Sequence, residues 1–243
     1  MIRALAFFFA LCFSSAFAED VPGVLAKSYI VTDETGTVVL EHDSKTTRPI
    51  ASISKLLVAE QIYPMLDDKK DQRLLELALV HSSNQAIYKL ARIHNTDVVI
   101  ASVNDVAQKR GLTSISIEEP SGLSENNQAS AEDLAKFLLF VKDLPIAQIS
   151  TEPRTSYRNI HSTNPLLGKP GWSFDVSKTG FTHPAGGCLA TIVEIGGRKL
   201  VVVILGSDNV RTRWTDLMTI RSYLASDDTF WHGIPIRHRR HRV

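Results

Sequence analysis

Two groups of predicted strands enclose a block of predicted helices, and this order of elements constrains the fold most. The early group is a hairpin pattern, in which the segments 28–33 and 37–41 flank Glu34-Thr35-Gly36. In the late group, the β-branched segments 189–195 and 199–205 surround Gly196-Gly197-Arg198, a hairpin turn signal. A further late strand is predicted at 174–178. We expect early and late strands to join one antiparallel sheet.

Helical periodicity dominates the intervening segment, where apolar residues recur every three or four positions. Predicted helices cover 52–63, 71–81, 84–93, 97–110 and 130–141, and a last helix covers 213–225. Ser130 is suited to cap the fifth of these helices. The pattern predicts an α+β protein in which a helical lobe packs beside the sheet. A cleft between the two is the expected substrate site.

The N-terminus has the features of a secretory signal peptide. Arg3 precedes an apolar run, and Ala16-Phe17-Ala18 supplies the small residues that a signal peptidase requires. The alternative is an uncleaved anchor, but the apolar stretch is shorter than the roughly 20 residues that span a bilayer. We therefore expect a signal peptide at 1–18, secretion to the periplasm, and no transmembrane anchor after cleavage.

Composition excludes several other classes of protein. The 243 residues carry a formal net charge of +1, which argues against a nucleic-acid binder. No H-E-x-x-H string or paired Cys/His cluster suggests a metal site, and we expect no cofactor. Cys12 would leave with the signal peptide, so that Cys188 alone remains and no intramolecular disulfide is possible. Cys188 is interpreted as a buried apolar residue, because nothing in the sequence pairs it with His183 as a catalytic base.

The expected organisation is a signal peptide at 1–18, one folded domain at 19–230 and a basic tail at 231–243. The tail contains Arg237-His238-Arg239-Arg240-His241-Arg242. Such ends are usually solvated, and the alternative is weak attraction to anionic lipid or wall polymer.

The first candidate for chemistry is Ser52-Ile53-Ser54-Lys55, an S-x-x-K string at the start of a predicted helix. Residues three apart share one helix face. A serine hydroxyl is a poor nucleophile until a base removes its proton, and a lysine can act as that base only when it is neutral. The string occurs by chance on the order of once in a chain this long, so the alternative is a helix cap followed by a solvated lysine.

Two further strings follow in order. Among several S-x-N strings, Ser82-Ser83-Asn84 is preferred because it separates two predicted helices and can project into a cleft. The alternative is that Ser82 or Asn84 only caps the second helix. Lys178-Thr179-Gly180 is rarer, and offers a cation, a hydroxyl and close backbone approach to a substrate carboxylate. Its alternative is a strand end with an exposed lysine.

The ordered strings S-x-x-K, S-x-N and K-T-G are a known signature of penicillin-recognising serine enzymes. Over about 28–224 the chain resembles the low-molecular-mass penicillin-binding proteins, the D-alanyl-D-alanine carboxypeptidase and endopeptidase family, and is most similar to its endopeptidase branch. The longer matching stretches are 48–55, 77–86, 119–124 and 178–189. The resemblance implies a serine β-lactamase/DD-peptidase-like fold.

The resemblance also implies a role for each site residue. Ser52 would be the acylated nucleophile and Lys55 its general base, while Ser82 would relay protons and Asn84 would hold the substrate amide. Lys178, Thr179 and Gly180 would bind the end of the peptide, and the backbone N–H groups of Ser52 and Phe181 would form an oxyanion hole. The implied substrates are D-alanyl bonds in peptidoglycan stem peptides or cross-links. β-Lactams would be covalent inhibitors, and no metal or cofactor would be required.

One departure from the family leaves alternatives open. Ser82 follows Ser52 by 30 positions, whereas the family usually has a longer insert there. A catalytically impaired protein that binds or regulates the cell wall is therefore a second hypothesis. A third is a β-lactamase, for which Glu118 or Glu119 could supply a hydrolytic carboxylate. The arginine that binds a substrate carboxylate is left open, with Arg211 and Arg213 near the last strand.

Overall fold

The structure is a computed structural model that describes residues 20–226. The predicted signal peptide and basic tail lie outside the described residues. The strands are β1 (Ser28–Asp33), β2 (Val38–His42), β3 (Arg48–Pro49), β4 (Gln128–Ala129), β5 (Phe174–Thr182), β6 (Gly186–Ile195) and β7 (Arg198–Ser207). The helices are α1 (Ser54–Ile62), α2 (Lys69–Leu79), α3 (Asn84–Ile93), α4 (Thr96–Lys109), α5 (Ala131–Val141), α6 (Pro145–Ser150) and α7 (Thr212–Ser226). Two 3₁₀ turns, Ala51–Ile53 and Tyr63–Met65, flank α1.

One antiparallel sheet joins the early and late strands, in the order β2-β1-β7-β6-β5. β1 pairs with β7 over its whole length, from Ser28 opposite Leu205 to Asp33 opposite Leu200. The predicted turn at Gly196 and Gly197 connects β6 to β7, and both glycines have positive φ. The predicted α+β class with an antiparallel sheet flanked by helices is confirmed.

The sheet is buried on both faces, as the side chains of β7 show. Val201, Val203 and Leu205 point into a core shared with the helices between β2 and β5. Their neighbours Leu200, Val202 and Ile204 point into a second core, where α7 packs with residues such as Leu217. Because alternate residues of a strand face opposite sides, β7 is apolar at every position from Leu200 to Leu205. This double burial fixes β5 and β6, on which part of the candidate site is built.

Local chemistry explains where the helices begin. α2 starts two residues earlier than predicted, because the Asp68 carboxylate accepts hydrogen bonds from the backbone N–H groups of Lys70 and Asp71. The Ser130 hydroxyl accepts from the N–H of Asp133, which confirms the predicted cap of α5. α6 was missed, because six residues are too few to display helical periodicity. Within residues 20–226, none of the helices has the length and apolar character needed to cross a membrane.

β5 is longer than the sequence predicts. Lys178 pairs with Ala190 and Gly180 with Cys188, so that the strand continues through the K-T-G string to Thr182. The glycines and small residues of this stretch weaken the strand signal. Pairing with the long strand β6 overrides that weak propensity. The K-T-G side chains are therefore held on a paired strand rather than on a loop.

Candidate active site

Ser52 and Lys55 lie side by side where the first 3₁₀ turn runs into α1. The ammonium of Lys55 donates to Ser52 Oγ at 2.7 Å and to the carbonyl oxygen of Ser121 at 2.5 Å. Lys55 is fully buried, whereas Ser52 is half-buried. Ala51 precedes the pair with φ +48°, a conformation that L-residues rarely adopt. This backbone turn sets the hydroxyl at the edge of the core, next to its basic neighbour.

Burial changes the proton affinity of Lys55. Desolvation penalises the charged amine and lowers the pKa of Lys55 to about 7, although the negative charge of Glu119 acts in the opposite direction. A lysine with this pKa is neutral in a large fraction of molecules at neutral pH. It can therefore accept the proton of the Ser52 hydroxyl.

The loop 119–124 holds the second partner of Lys55. The Glu119 carboxylate accepts hydrogen bonds from the backbone N–H groups of Ser121, Gly122, Leu123 and Ser124, and from the Ser121 hydroxyl. Burial alone would raise the pKa of Glu119, but the hydrogen bonds from Ser121 and Tyr88 outweigh it and lower that pKa. The loop is thereby fixed around an ionised carboxylate.

Close backbone packing attaches this loop to the turn that carries Ser52. Gly122 has φ +82°, and a Cβ placed there would lie 1.9 Å from the carbonyl oxygen of Ala51. The resemblance to the penicillin-binding family includes the stretch 119–124, but it implies no role for Ser121. Its contribution is a backbone carbonyl, which side-chain identity does not reveal.

Ser82 and Lys178 form a second serine–lysine pair. Ser82 lies between α2 and α3 with φ +61°. Its hydroxyl oxygen accepts a hydrogen bond from Lys178 Nζ at 2.8 Å. The cap of α3 is the next residue, Ser83, whose hydroxyl accepts from the N–H of Ala86. Ser82 is thus free of the capping role that was its alternative interpretation.

Lys178 is buried, with 1% of its surface exposed, and its ammonium also donates to the carbonyl oxygen of Thr179 at 3.0 Å. Desolvation, followed by the positive charges of Lys55 and Arg213, lowers the pKa of Lys178 well below its usual value. The charge of Lys55 therefore acts on the buried amine of Lys178. Two serine hydroxyls and two amines of altered basicity meet between the helices and β5.

The rest of the K-T-G string lies on β5, opposite the turn that carries Ser52. The hydroxyl of Thr179 is 2.6 Å from that of Thr163, a residue that no sequence motif had indicated. A Cβ at Gly180 would lie 2.8 Å from Ile50 O and 3.0 Å from the backbone nitrogen of Ser52. Phe181 follows with 38% of its surface exposed. Gly180 thus allows β5 to approach the Ser52 turn closely.

Arg213 supports this strand from inside the protein. Its guanidinium donates to the carbonyl oxygen of Gly180 at 2.7 Å, and burial lowers the pKa of Arg213 to about 10. Arg211, the other arginine near the last strand, is exposed. Of the two arginines near the last strand, Arg213 is therefore the one that is buried against β5, whereas Arg211 is on the surface.

Asn84 is the candidate that the structure leaves apart from the others. It is the first residue of α3 and is half-buried. It lines a groove with Tyr88 and Leu123, and within residues 20–226 no direct hydrogen bond connects it to Ser52 or Lys178. A role for Asn84 requires a bound substrate to reach it.

The remaining candidates offer no separate chemistry. Cys188 is fully buried, and burial raises the pKa of its thiol to about 11, so that it is not a nucleophile at neutral pH. Within residues 20–226, no group of three His, Cys, Asp or Glu side chains is arranged to hold a metal ion.

Comparison with known families agrees with this geometry. The family model described as D-alanyl-D-alanine carboxypeptidase matches residues 61–209. That range includes Ser82 and the K-T-G string and begins after Lys55. A D-alanyl-D-alanine endopeptidase of Escherichia coli is 28% identical, and the alignment covers 87% of this chain and 81% of the relative.

Solved structures show the same fold. A D-alanyl-D-alanine carboxypeptidase from Mycobacterium tuberculosis superposes with a TM-score of 0.76 at 26% identity, covering 88% of this chain and 96% of that one. Penicillin-binding protein D2 of Listeria monocytogenes, in its cefotaxime-bound form, gives a TM-score of 0.72 at 23% identity, covering 82% and 96%. The second likeness concerns the fold alone.

Proposed function

Because the chain belongs to the D-alanyl-D-alanine carboxypeptidase family, we propose that it is a serine DD-peptidase that forms an acyl-enzyme on Ser52. Its substrates are D-alanyl bonds in peptidoglycan stem peptides or cross-links. One observation carries the proposal: the Ser52 hydroxyl lies 2.7 Å from a buried amine whose pKa is about 7. A nucleophile and its base within hydrogen-bond distance are what acyl transfer requires.

In the first step, neutral Lys55 accepts the proton of Ser52 as Oγ bonds to the carbonyl carbon of the D-alanine that precedes the cleaved bond. The resulting tetrahedral intermediate carries a negative oxygen, for which the N–H groups of Ser52 and Phe181 are the proposed donors. The intermediate collapses with cleavage of the C–N bond. The departing amine takes the proton of the Ser82 hydroxyl, and Ser82 regains a proton from protonated Lys55. Lys178 Nζ orients Ser82 by its hydrogen bond.

In the second step, Lys55 accepts a proton from water as the water oxygen attacks the ester on Ser52, and it returns that proton to Oγ as the ester C–O bond breaks. The β-lactamase alternative needs a carboxylate that is free to activate this water. Glu119 is occupied by the loop 119–124, and exposed Glu118 bonds to Ser124 and Asn126. These contacts support a peptidase rather than a β-lactamase.

We also propose that the protein is secreted. The segment 1–18 would direct it to the periplasm and be removed, leaving a catalytic domain at 19–230 and the basic tail at 231–243. The features that support this are the apolar run and the small residues ending at Ala18. N-terminal sequencing of the protein recovered from the periplasm tests it, with Glu19 expected as the first residue.

A fluorescent penicillin tests the acyl-enzyme directly. The wild-type protein should be labelled covalently, and Ser52→Ala should not be labelled. Absence of label on the wild type, or undiminished label on Ser52→Ala, would contradict the mechanism. Ser54→Ala is a useful control, because its hydroxyl belongs to the same string but bonds to Ala51 O and accepts from Asn127.

The impaired, wall-binding alternative is decided by digestion of cross-linked muropeptides. Wild-type protein should release monomers from dimers, or D-alanine from pentapeptides, and Ser52→Ala should release neither. The two products also separate endopeptidase from carboxypeptidase activity. The shortened link between Ser52 and Ser82 motivated the alternative, yet the contacts of both serines with their lysines support catalysis.

A further inference from the structure

A basic groove of about 510 Å³ lies beside Ser82, on the outer surface of α2 and α3. We define it by its four cationic side chains, Lys70, Arg73, Lys89 and Arg158, together with the ring of Tyr157. None of its lining residues is acidic. The groove thus concentrates positive charge around a partly apolar surface, which is suited to an anionic ligand.

The positive charge of the basic groove comes from four side chains. All four are exposed, and among residues 20–226 none of them forms an ion pair with a carboxylate. The Arg73 guanidinium instead lies 4.0 Å from the centroid of the Tyr157 ring. This cation–π contact orients the charge at the edge of the groove without neutralising it.

The carboxylate of Glu76 helps to build the groove wall. Glu76 on α2 accepts hydrogen bonds from the backbone N–H and the hydroxyl of Ser156. That contact anchors the segment carrying Tyr157 and Arg158 against α2. Glu76 therefore shapes the groove and leaves its cations available.

The basic groove reaches the candidate active site. His81 and Ser83 line it and flank Ser82, which contacts Lys178. A second groove, on the other side of α3, contains Asn84 and Arg92 and shares Gln85 and Lys89 with the first. The two grooves thus meet on the exposed face of α3, where Lys89 and Arg92 carry positive charge.

We propose that the basic groove binds the free carboxylates of a peptidoglycan stem peptide that extends past Ser82, away from the acylated serine. This inference rests on the proposed function and names a substrate feature that the function alone does not require. A cross-linked dimer carries additional carboxylates, so its binding should depend most strongly on the basic groove. The small D-alanyl end occupies only the cleft between Ser52 and β5.

Binding is measured in the Ser52→Ala background, so that turnover plays no part. The probe is a cross-linked muropeptide dimer with free carboxylates, compared with the same dimer after amidation of its carboxyl groups. K70Q/R73Q/K89Q should weaken binding of the free dimer by about tenfold, since several exposed ion pairs of modest strength are lost together. It should leave binding of the amidated dimer unchanged.

The control variant K45Q/K109Q/K169Q removes the same number of charges from surfaces outside the basic groove. It should bind the free dimer within twofold of the parent. Equal weakening by both triple variants, tight binding of the amidated dimer, or no measurable binding of the free dimer to Ser52→Ala would overturn the proposal.

Catalysis provides a second readout in the presence of Ser52. With K70Q/R73Q/K89Q, the ratio of dimer cleavage to penicillin acylation should fall about tenfold, and added salt should lower that ratio in the wild type. An unchanged ratio would contradict the proposal that the basic groove binds substrate carboxylates. Failure of the wild type to be acylated would contradict the proposed function instead. The binding measurement, which uses Ser52→Ala, would still test whether the basic groove binds the dimer.

Discussion

Lys178 Nζ donates a hydrogen bond to Ser82 Oγ at 2.8 Å, although 96 positions separate the two residues in the sequence. Ser82 adopts a left-handed backbone conformation at the corner between α2 and α3, and Lys178 projects from β5. The helical lobe and the sheet therefore meet through these two side chains. The proton relay that we propose for Ser82 depends on this contact.

We expect Ser82→Ala to lower the rate of acylation by a fluorescent penicillin by about 10² to 10⁴-fold, the range for loss of a positioned proton-transfer group. Lys178 would lose its hydroxyl partner, and the departing amine its relay. Stopped-flow labelling measures the rate. The matched control is Ser83→Ala, which removes the cap of α3 and should cost about 1 kcal/mol of stability with little effect on acylation. Equal rates for the two variants would refute the relay.

Gly180→Ala tests the close approach of β5 to the nucleophile. The added Cβ would lie 3.0 Å from the backbone nitrogen of Ser52 and 2.8 Å from Ile50 O, so the Ser52 turn must shift. A displaced oxyanion donor costs roughly 10²-fold in rate, and we expect a loss of acylation of that order.

Gly197→Ala serves as the control for Gly180→Ala. Gly197 has φ +78° in the turn between β6 and β7, and nothing lies within 4 Å of its added Cβ. It should lose about 1 kcal/mol of stability through backbone strain but acylate normally. Thermal unfolding and labelling rates together separate the two effects. Normal acylation by Gly180→Ala would show that the turn tolerates the shift.

The sequence predicted the helices, the strands and the Ser52–Lys55 pair because those signals are local. Periodicity marks helices and strands, and the S-x-x-K spacing places Lys55 on the same helix face as Ser52. The N-cap Ser130 and the turn at Gly196 were likewise found from local chemistry. Each of these features depends on a few adjacent residues.

What the sequence could not give depends on long-range contacts or on the backbone. Ser121 acts through its carbonyl oxygen, and Thr163 meets Thr179 only after β5 is in place. The left-handed conformation of Ser82 has no signature in a residue type that usually avoids it. The lowered pKa of Lys55 follows from burial, which requires the packed core.

The pH dependence of acylation should report the ionisation of Lys55. With a pKa of about 7, the amine becomes protonated as the pH falls, and the rate should drop tenfold per pH unit well below that value. Glu119 opposes the effect of burial on Lys55. Glu119→Gln should therefore shift the acidic limb of the profile to lower pH.

Glu119→Gln should also reduce stability by about 1–3 kcal/mol, because the amide cannot accept all the hydrogen bonds of the loop 119–124. Glu118→Gln is the matched control, since it makes the same charge change at an exposed neighbour. Its acidic limb should stay within a few tenths of a pH unit of wild type. A shift of the Glu119→Gln limb to higher pH would contradict the assigned direction.

Lys55 should make the folded state less stable at neutral and acidic pH. Its pKa falls from the usual 10.5 to about 7 on folding, so between these values the unfolded chain binds more protons than the native one. Stability must then rise with pH through this window, and the penalty is full below about pH 7. Lys55→Met removes the titrating group. It also removes the hydrogen bonds to Ser52 and Ser121 at every pH.

Urea unfolding of wild type and Lys55→Met at pH 6 and pH 10 measures the difference. The stability of the variant relative to wild type should be higher at pH 6 than at pH 10 by a few kcal/mol, since each pKa unit corresponds to about 1.4 kcal/mol. Lys45→Met changes an exposed lysine and should show no such difference. A relative stability of Lys55→Met that is the same at both pH values would mean that Lys55 remains protonated in the folded protein, and its role as the base for Ser52 would have to be abandoned.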